Sequence, residues 1–141
     1  MIDIENLVFN TVFDQLSVLY PKANITIGYD EQKASNLTVI VRETNSVPVQ
    51  SMNTDDCAEN YTRLTYEVEV ISNKEGTARS ECKAVLEAAD TIMQSMKFRR
   101  IHKNRPVITD RTVYRQYARY EVIVGKPYEE DGNTIYPMYR R

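Results

Sequence analysis

Three features of this sequence predict an α+β domain, with a mixed or antiparallel β-sheet and two main helices packed on one face. Two stretches, roughly 4–20 and 77–97, repeat apolar residues at helical spacing. Several others are short runs rich in β-branched residues or alternating apolar with polar positions. The second helix lies between two strand candidates, and an antiparallel strand follows. That order gathers helices on one side of a sheet. The predicted element order is α-β-β-β-α-β-β.

Asp3 is placed to cap the first helix, in which Ile4, Leu7, Val8, Val12, Leu16 and Leu19 form the apolar stripe, flanked by Phe13 and Tyr20. Pro21 marks its end. Asn24–Gly28 is a short strand candidate, and Leu37–Val41 is a stronger one. Residues 43–60 are polar and irregular and read as one long loop. In the next strand Leu64, Tyr66, Val68 and Val70 alternate with Arg63, Thr65, Glu67 and Glu69, which predicts one buried and one wet face. A turn at Asn73–Gly76 leads to the second helix, with Ala78, Cys82, Val85, Leu86, Ala89, Ile92, Met93 and Met96 on one stripe. Phe98–His102 reads as a short strand, broken by Asn104-Arg105-Pro106. Thr112–Val124 is the last long strand. Tyr114, Ala118, Tyr120, Val122 and Val124 fall on one face, and Arg115, Tyr117, Arg119 and Glu121 on the other. Residues 125–141 read as a polar extension with a possible edge strand at Thr134-Ile135-Tyr136.

The 141 residues suit a single domain able to bury its own core, and a hydrophobic fraction of 42% fits a globular chain. No apolar run is long enough to span a bilayer, and the N-terminus lacks the basic start and apolar block of a secretory leader. A cytoplasmic start and no membrane partner are therefore expected. Cys57 and Cys82 give neither a disulfide framework nor a metal spacing, and Cys82 reads as a small core residue. The net charge of −2 conceals an asymmetry. Residues 1–96 carry 7 Lys/Arg and 15 Asp/Glu, a balance of −8, whereas residues 97–141 carry 11 and 5, a balance of +6. A chain split in this way can bind a polyanion, bind copies of itself acid to base, or pair its charges within one fold.

Catalytic chemistry finds little support. The single histidine, His102, sits among Arg99, Ile101 and Lys103 with no orienting carboxylate nearby in sequence. No nucleophile elbow and no phosphate-cradling glycine loop is present. Asp55, Asp56 and Glu59 lack a recognisable cation-binding spacing and read as a solvated loop, so no metal and no cofactor is expected. The surface of interest is the basic stretch of Lys97, Arg99, Arg100, Lys103, Arg105, Arg111, Arg115 and Arg119, interleaved with Phe98, Tyr114, Tyr117 and Tyr120. Its composition suits a nucleic-acid platform and a protein–protein interface equally.

Several stretches resemble the tail terminator proteins of tailed phages and prophages of Gram-positive bacteria, often described as minor capsid or tail completion proteins. They are Y-E-V-E-V-I-S-N-K at 66–74, T-A-R-S-E-C-K at 77–83, M-K-F-R-R at 96–100 and V-Y-R-Q-Y-A-R-Y at 113–120. P-V-Q-S-M at 48–52, E-N-Y-T-R-L-T-Y at 59–66 and I-Y-P-M-Y-R-R at 135–141 extend the similarity, which covers most of residues 48–141. Tyr136-Pro137-Met138 is a departure, since the family's ending is usually shorter. The resemblance implies a small, non-enzymatic structural protein that forms a hexameric ring on the head-proximal end of a tail tube. Such a ring ends tube polymerisation and offers a surface to the head connector or neck protein, with DNA only as passing cargo.

Under that reading Arg99, Arg100, Arg115 and Arg119, with Tyr117, are the expected subunit-interface residues. Their expected counterparts are Glu67 and Glu69, or the 55–59 loop, of a neighbouring copy. The 43–60 loop with Asp55, Asp56 and Glu59, and the extension with Tyr136, Tyr139 and Arg140, are the expected contacts to tube or connector. The competing readings are another head–tail connector, a nucleic-acid-binding α+β module and, third, a small hydrolase.

Overall fold

A computed structural model describes residues 3–27, 37–49, 61–73, 76–110, 113–125, 128–130, 133–135 and 138–139. The elements are α1 (Glu5–Leu19), β1 (Asn24–Thr26), β2 (Leu37–Pro48), β3 (Tyr61–Ser72), α2 (Ala78–Ser95), β4 (Arg99–Lys103), β5 (Val107–Asp110), β6 (Val113–Gly125), β7 (Tyr128–Glu130), β8 (Asn133–Ile135) and β9 (Met138–Tyr139). The predicted α+β class and its α-β-β-β-α-β-β order are present, with β5 and the short strands after β6 added to it.

The main sheet runs β1-β2-β3-β6-β4, with β1 parallel to β2 and the remaining neighbours antiparallel. β3, α2 and β4 form a crossover unit whose two strands run the same way with one space between them, and β6 fills that space. One edge of β6 pairs with β3 from Tyr114 to Gly125. Its other edge is covered in succession by β5, β4 and β9. At the break between β4 and β5, Asn104 takes the place of a strand residue. Its N–H donates to the Tyr117 carbonyl (3.2 Å), and its side-chain Oδ1 accepts the Tyr117 N–H (2.7 Å). The Gln116 amide donates to the Asn104 carbonyl at 2.9 Å. Asparagine suits this position because its short amide reproduces a backbone group while the following Arg-Pro ends the strand.

α2 lies on β3 and β6, and α1 lies beside α2 over β1 and β2. The core joins the helices to the inward positions of the strands. Val8, Val12 and Leu16 come from α1, Cys82, Leu86 and Met93 from α2, Leu64, Tyr66 and Val68 from β3, and Ala118, Tyr120 and Val122 from β6. Two residues of the predicted α1 stripe depart from it: Leu7 and Leu19 are exposed, as is Phe13. α1 is covered on one narrow line only, because α2 and the sheet edge meet it along Ile4, Val8, Val12 and Leu16. The N-cap position falls on Ile4 rather than on the predicted Asp3, whose carboxylate still accepts the Glu5 N–H at 3.0 Å.

Two buried tyrosines reach the rim of the core with their hydroxyls. Tyr66 donates to Glu43 at 3.2 Å and meets Phe98 edge-on at 5.4 Å, and Tyr120 donates to Asp90 at 2.7 Å. Burial, reinforced by these carboxylates, pushes both phenols above their usual range. Cys82 is buried as predicted. Its thiol faces the Tyr114 carbonyl at 3.3 Å, and burial pushes its pKa up to about 11.

The predicted 43–60 loop requires correction, because β2 continues to Pro48 across a bulge between Glu43 and Asn45. Residues 43–48, mostly polar, form strand because β3 supplies ladder partners on both sides of the bulge, which outweighs their weak propensity. The extension also requires correction, since β9 returns to the sheet with Ile123 opposite Tyr139 and Val124 opposite Met138.

α2 ends in a Schellman turn, in which Phe98 N–H reaches the Met93 carbonyl (3.2 Å) and Lys97 N–H the Gln94 carbonyl (3.0 Å). The residue in the left-handed conformation is Lys97, with φ 72°, where glycine is the usual occupant. A Lys97→Gly variant is therefore expected to gain about 0.5–1 kcal/mol, a rise of about 2–4 °C in melting temperature by calorimetry. An unchanged or lower melting temperature would contradict this account of the turn.

Candidate interaction surface

The sheet face turned away from the helices carries the charged positions of β2, β3 and β6, and here the predicted wet face of β3 needs revision. Glu67 and Glu69 are only 5% and 9% exposed. β3 is a central strand, and arginines on both neighbouring strands flank these carboxylates. Arg42 stands directly opposite Glu67 on one side and Arg119 on the other. Arg42 donates from Nε (3.1 Å) and Nη2 (2.6 Å) to Glu67 Oε2, while Arg119 Nε lies 3.5 Å from Glu67 Oε1. Arg115 reaches Glu69 diagonally at 3.6 Å. Arg99, opposite Glu121, donates to it at 2.8 Å, and Arg63 approaches the same carboxylate at 3.9 Å. The result is a ladder of ion pairs across four strands, a geometry in which cross-strand and diagonal neighbours come within reach.

Arg100 points to the helix side of the sheet. It pairs with Asp90 of α2 at 3.3 Å, and the same carboxylate accepts the Tyr120 hydroxyl and, through its other oxygen, the Gln94 amide at 2.7 Å. Tyr117 stands between His102 and Arg119. Its hydroxyl lies 3.4 Å from His102 Nε2, the two rings are 5.6 Å apart, and the Arg119 guanidinium sits 5.2 Å over the tyrosine ring.

The structure thus brings Glu67, Glu69, Arg99, Arg115, Tyr117 and Arg119 onto one face, with Arg100 across the sheet. It pairs the four arginines with carboxylates of their own chain. Sequence reasoning missed Arg42, Arg63, Asp90, Glu121 and Asn104 as parts of this network, because their roles depend on register between distant strands. The cations Lys97, Lys103 and Arg105 form no ion pair among the described residues. Asp55, Asp56, Glu59, Tyr136 and Arg140 lie outside the described residues, and Tyr139 is described only through the pairing of β9.

Among the described residues no group of three or more His, Cys, Asp or Glu converges to hold a metal ion, and no helix is long and apolar enough to cross a membrane. The chain matches no protein-family model and no curated relative.

Removing Glu67 leaves two half-exposed arginines without their shared partner. Glu67→Ala is therefore expected to lower stability by about 2 kcal/mol in urea titration, and Arg119→Ala alone by about 1 kcal/mol or less. A Glu67→Ala loss below about 0.5 kcal/mol would mean that the ladder is screened by solvent rather than shielded.

Glu43 offers a pH test. Burial raises its pKa above the ordinary 4.5, with Asp3 and Glu5 adding repulsion against the opposing effect of the Tyr66 hydrogen bond. A raised folded-state pKa gives stability that is full below the unfolded value and lost as pH rises through the folded one. Glu43→Gln is therefore expected to melt higher than the wild type at pH 7, with the difference vanishing as pH falls to about 4.5. A difference that does not change with pH would exclude ionisation of Glu43 as its source.

Proposed function

We propose that the protein is a structural assembly subunit of the tail-terminator kind. Copies join head to tail in a closed ring at the head-proximal end of a phage tail tube or tail-like particle, end tube growth and present a face to the head connector. The observation that carries this reading is the position of the stretches that resemble the terminator family. Residues 66–72, 78–83, 99–100 and 113–120 of those stretches fall on β3, α2, β4 and β6, the crossover unit and the strand inserted between its two arms. Their charged side chains form a shielded ladder that holds register, and their apolar ones form the core. This chemistry suits a rigid building block.

The nucleic-acid reading draws on Lys97, Lys103, Arg105 and the exposed ring pair of His102 and Tyr117. Against it, Arg99, Arg100, Arg115 and Arg119 are already neutralised by carboxylates of their own chain, which weakens the field a phosphate backbone would meet. Tyr120 is in the core and Tyr114 packs against it, so neither offers a stacking face.

Purified protein added to polymerising tail-tube subunits is expected to shorten the tubes and leave ring-shaped density at one end in electron micrographs. Unaltered tube lengths with bare ends would overturn the terminator reading. Steeply salt-dependent DNA binding by the same sample would favour the nucleic-acid module.

A further inference from the structure

At the C-terminal end of α1 two apolar residues stand open, Val18 being 78% exposed and Leu19 61%. A groove of ≈ 540 Å³ runs beside Val18 and Leu19, floored by Ala88 and Ile92 of α2 and edged by Asp14. At the other end of the sheet, β4 and β5 carry three half-exposed apolar residues, Ile101, Val107 and Ile108. Val107 stands opposite Arg115 and Ile108 opposite Tyr114, so these two project to the two sides of the strand edge. Apolar side chains left open around a groove and along a strand edge suit a contact surface.

The two patches occupy opposite ends of the fold. α1 sits over β1 and β2, at one end of the sheet order, and β4 and β5 pair with β6 at the other. They cannot meet within one chain, whereas a second copy can bring one against the other. Their charges are complementary. Residues 3–20 carry Asp3, Glu5 and Asp14 and no Lys or Arg, while residues 97–110, which include β4 and β5, carry five cations and one acid, Asp110. Arg99 and Arg100 are paired inside the chain, which leaves Lys97, Lys103 and Arg105 to face a partner. The outward edge of β4 and β5 also presents strand backbone to whatever docks there.

We propose that the apolar groove between α1 and α2 receives the β4–β5 edge of a second copy of this chain, with Asp14 of the acceptor near Lys103 or Arg105 of the donor. The contact joins unlike surfaces, so it propagates, and it closes into a ring when the rotation between copies divides a full turn. This assignment rests on the ring reading above and replaces the expected pairing of Arg115 and Arg119 with a neighbour's Glu67 and Glu69, since those charges are partnered within the chain.

Two variants test it. Val18→Asp places a charge in the acceptor groove, and Ile108→Glu places one on the donor edge. Both sites are exposed, and melting curves would verify that each variant folds. In sedimentation velocity from about 1 to about 300 μM, wild type is expected to self-associate, and each variant alone should need at least about tenfold higher concentration. An equimolar mixture of the two variants retains one intact donor and one intact acceptor. It is therefore expected to form a heterodimer that grows no further.

A wild type that stays monomeric throughout the range would overturn the proposal, as would variants that associate like wild type. A mixture that stays monomeric points to a symmetric contact and overturns it too. These outcomes are separable from failure of the terminator reading. Tube capping that persists in both variants sinks this interface and leaves that reading in place. Variants that lose self-association while wild type fails to cap tubes do the opposite.

Discussion

β6 is registered on both of its edges, and the rest of the molecule takes its position from that strand. Its thirteen residues pair with β3 on one side and with β5, β4 and β9 in succession on the other. A strand inserted between the two arms of a crossover cannot shift alone. A slip of one residue would turn Tyr120 and Val122 to the charged face and Arg119 and Glu121 into the core. Desolvating an arginine and a glutamate without partners costs far more than a ladder of strand hydrogen bonds returns. Core packing on one face and ion pairing on the other therefore select the same register.

That double selection explains why charged side chains tolerate so much burial in β3. Glu67 is held between two guanidinium groups from two different strands, and Glu69 has Arg115 at its diagonal. The arginines keep part of their surface in water, so their desolvation is incomplete while the carboxylates are shielded. Such pairs add modest net stability, because desolvation offsets much of the attraction. Their larger effect is to penalise any alternative pairing of β2, β3 and β6, which is a service to specificity in a sheet with seven strands among the described residues.

The fold was legible in the sequence where periodicity is local. α2 shows a clean apolar stripe, and β3 and β6 alternate across a core, so class and order could be read directly. The boundary of β2 could not. Glu43, Thr44, Asn45 and Ser46 have the composition of a loop, and only the ladder from β3 makes them strand. β5 and β9 were hidden for the same reason, being short and held by the free edge of β6. The candidate surface was legible by residue type but not by state. Alternation placed Glu67 and Glu69 opposite the core correctly, yet it carries no information about which arginines from distant segments arrive beside them.

The split of charge between the two parts of the chain suggested an acid-to-base contact between copies. In the folded molecule much of that split is resolved internally, because the sheet interleaves acidic β3 with basic β4 and β6. What remains is a smaller imbalance at the ends, acid on α1 and uncompensated lysine and arginine around β4 and β5. Screened surface charges of this kind orient an encounter more than they hold it. In the proposed contact the holding term would come from apolar area, which the exposed residues of α1 and of the β4–β5 edge offer at the same two ends. Charge asymmetry along the chain is thus a poor guide to where copies would touch. The charges that find no partner at home are a better one, because those are the ones the fold leaves facing outward.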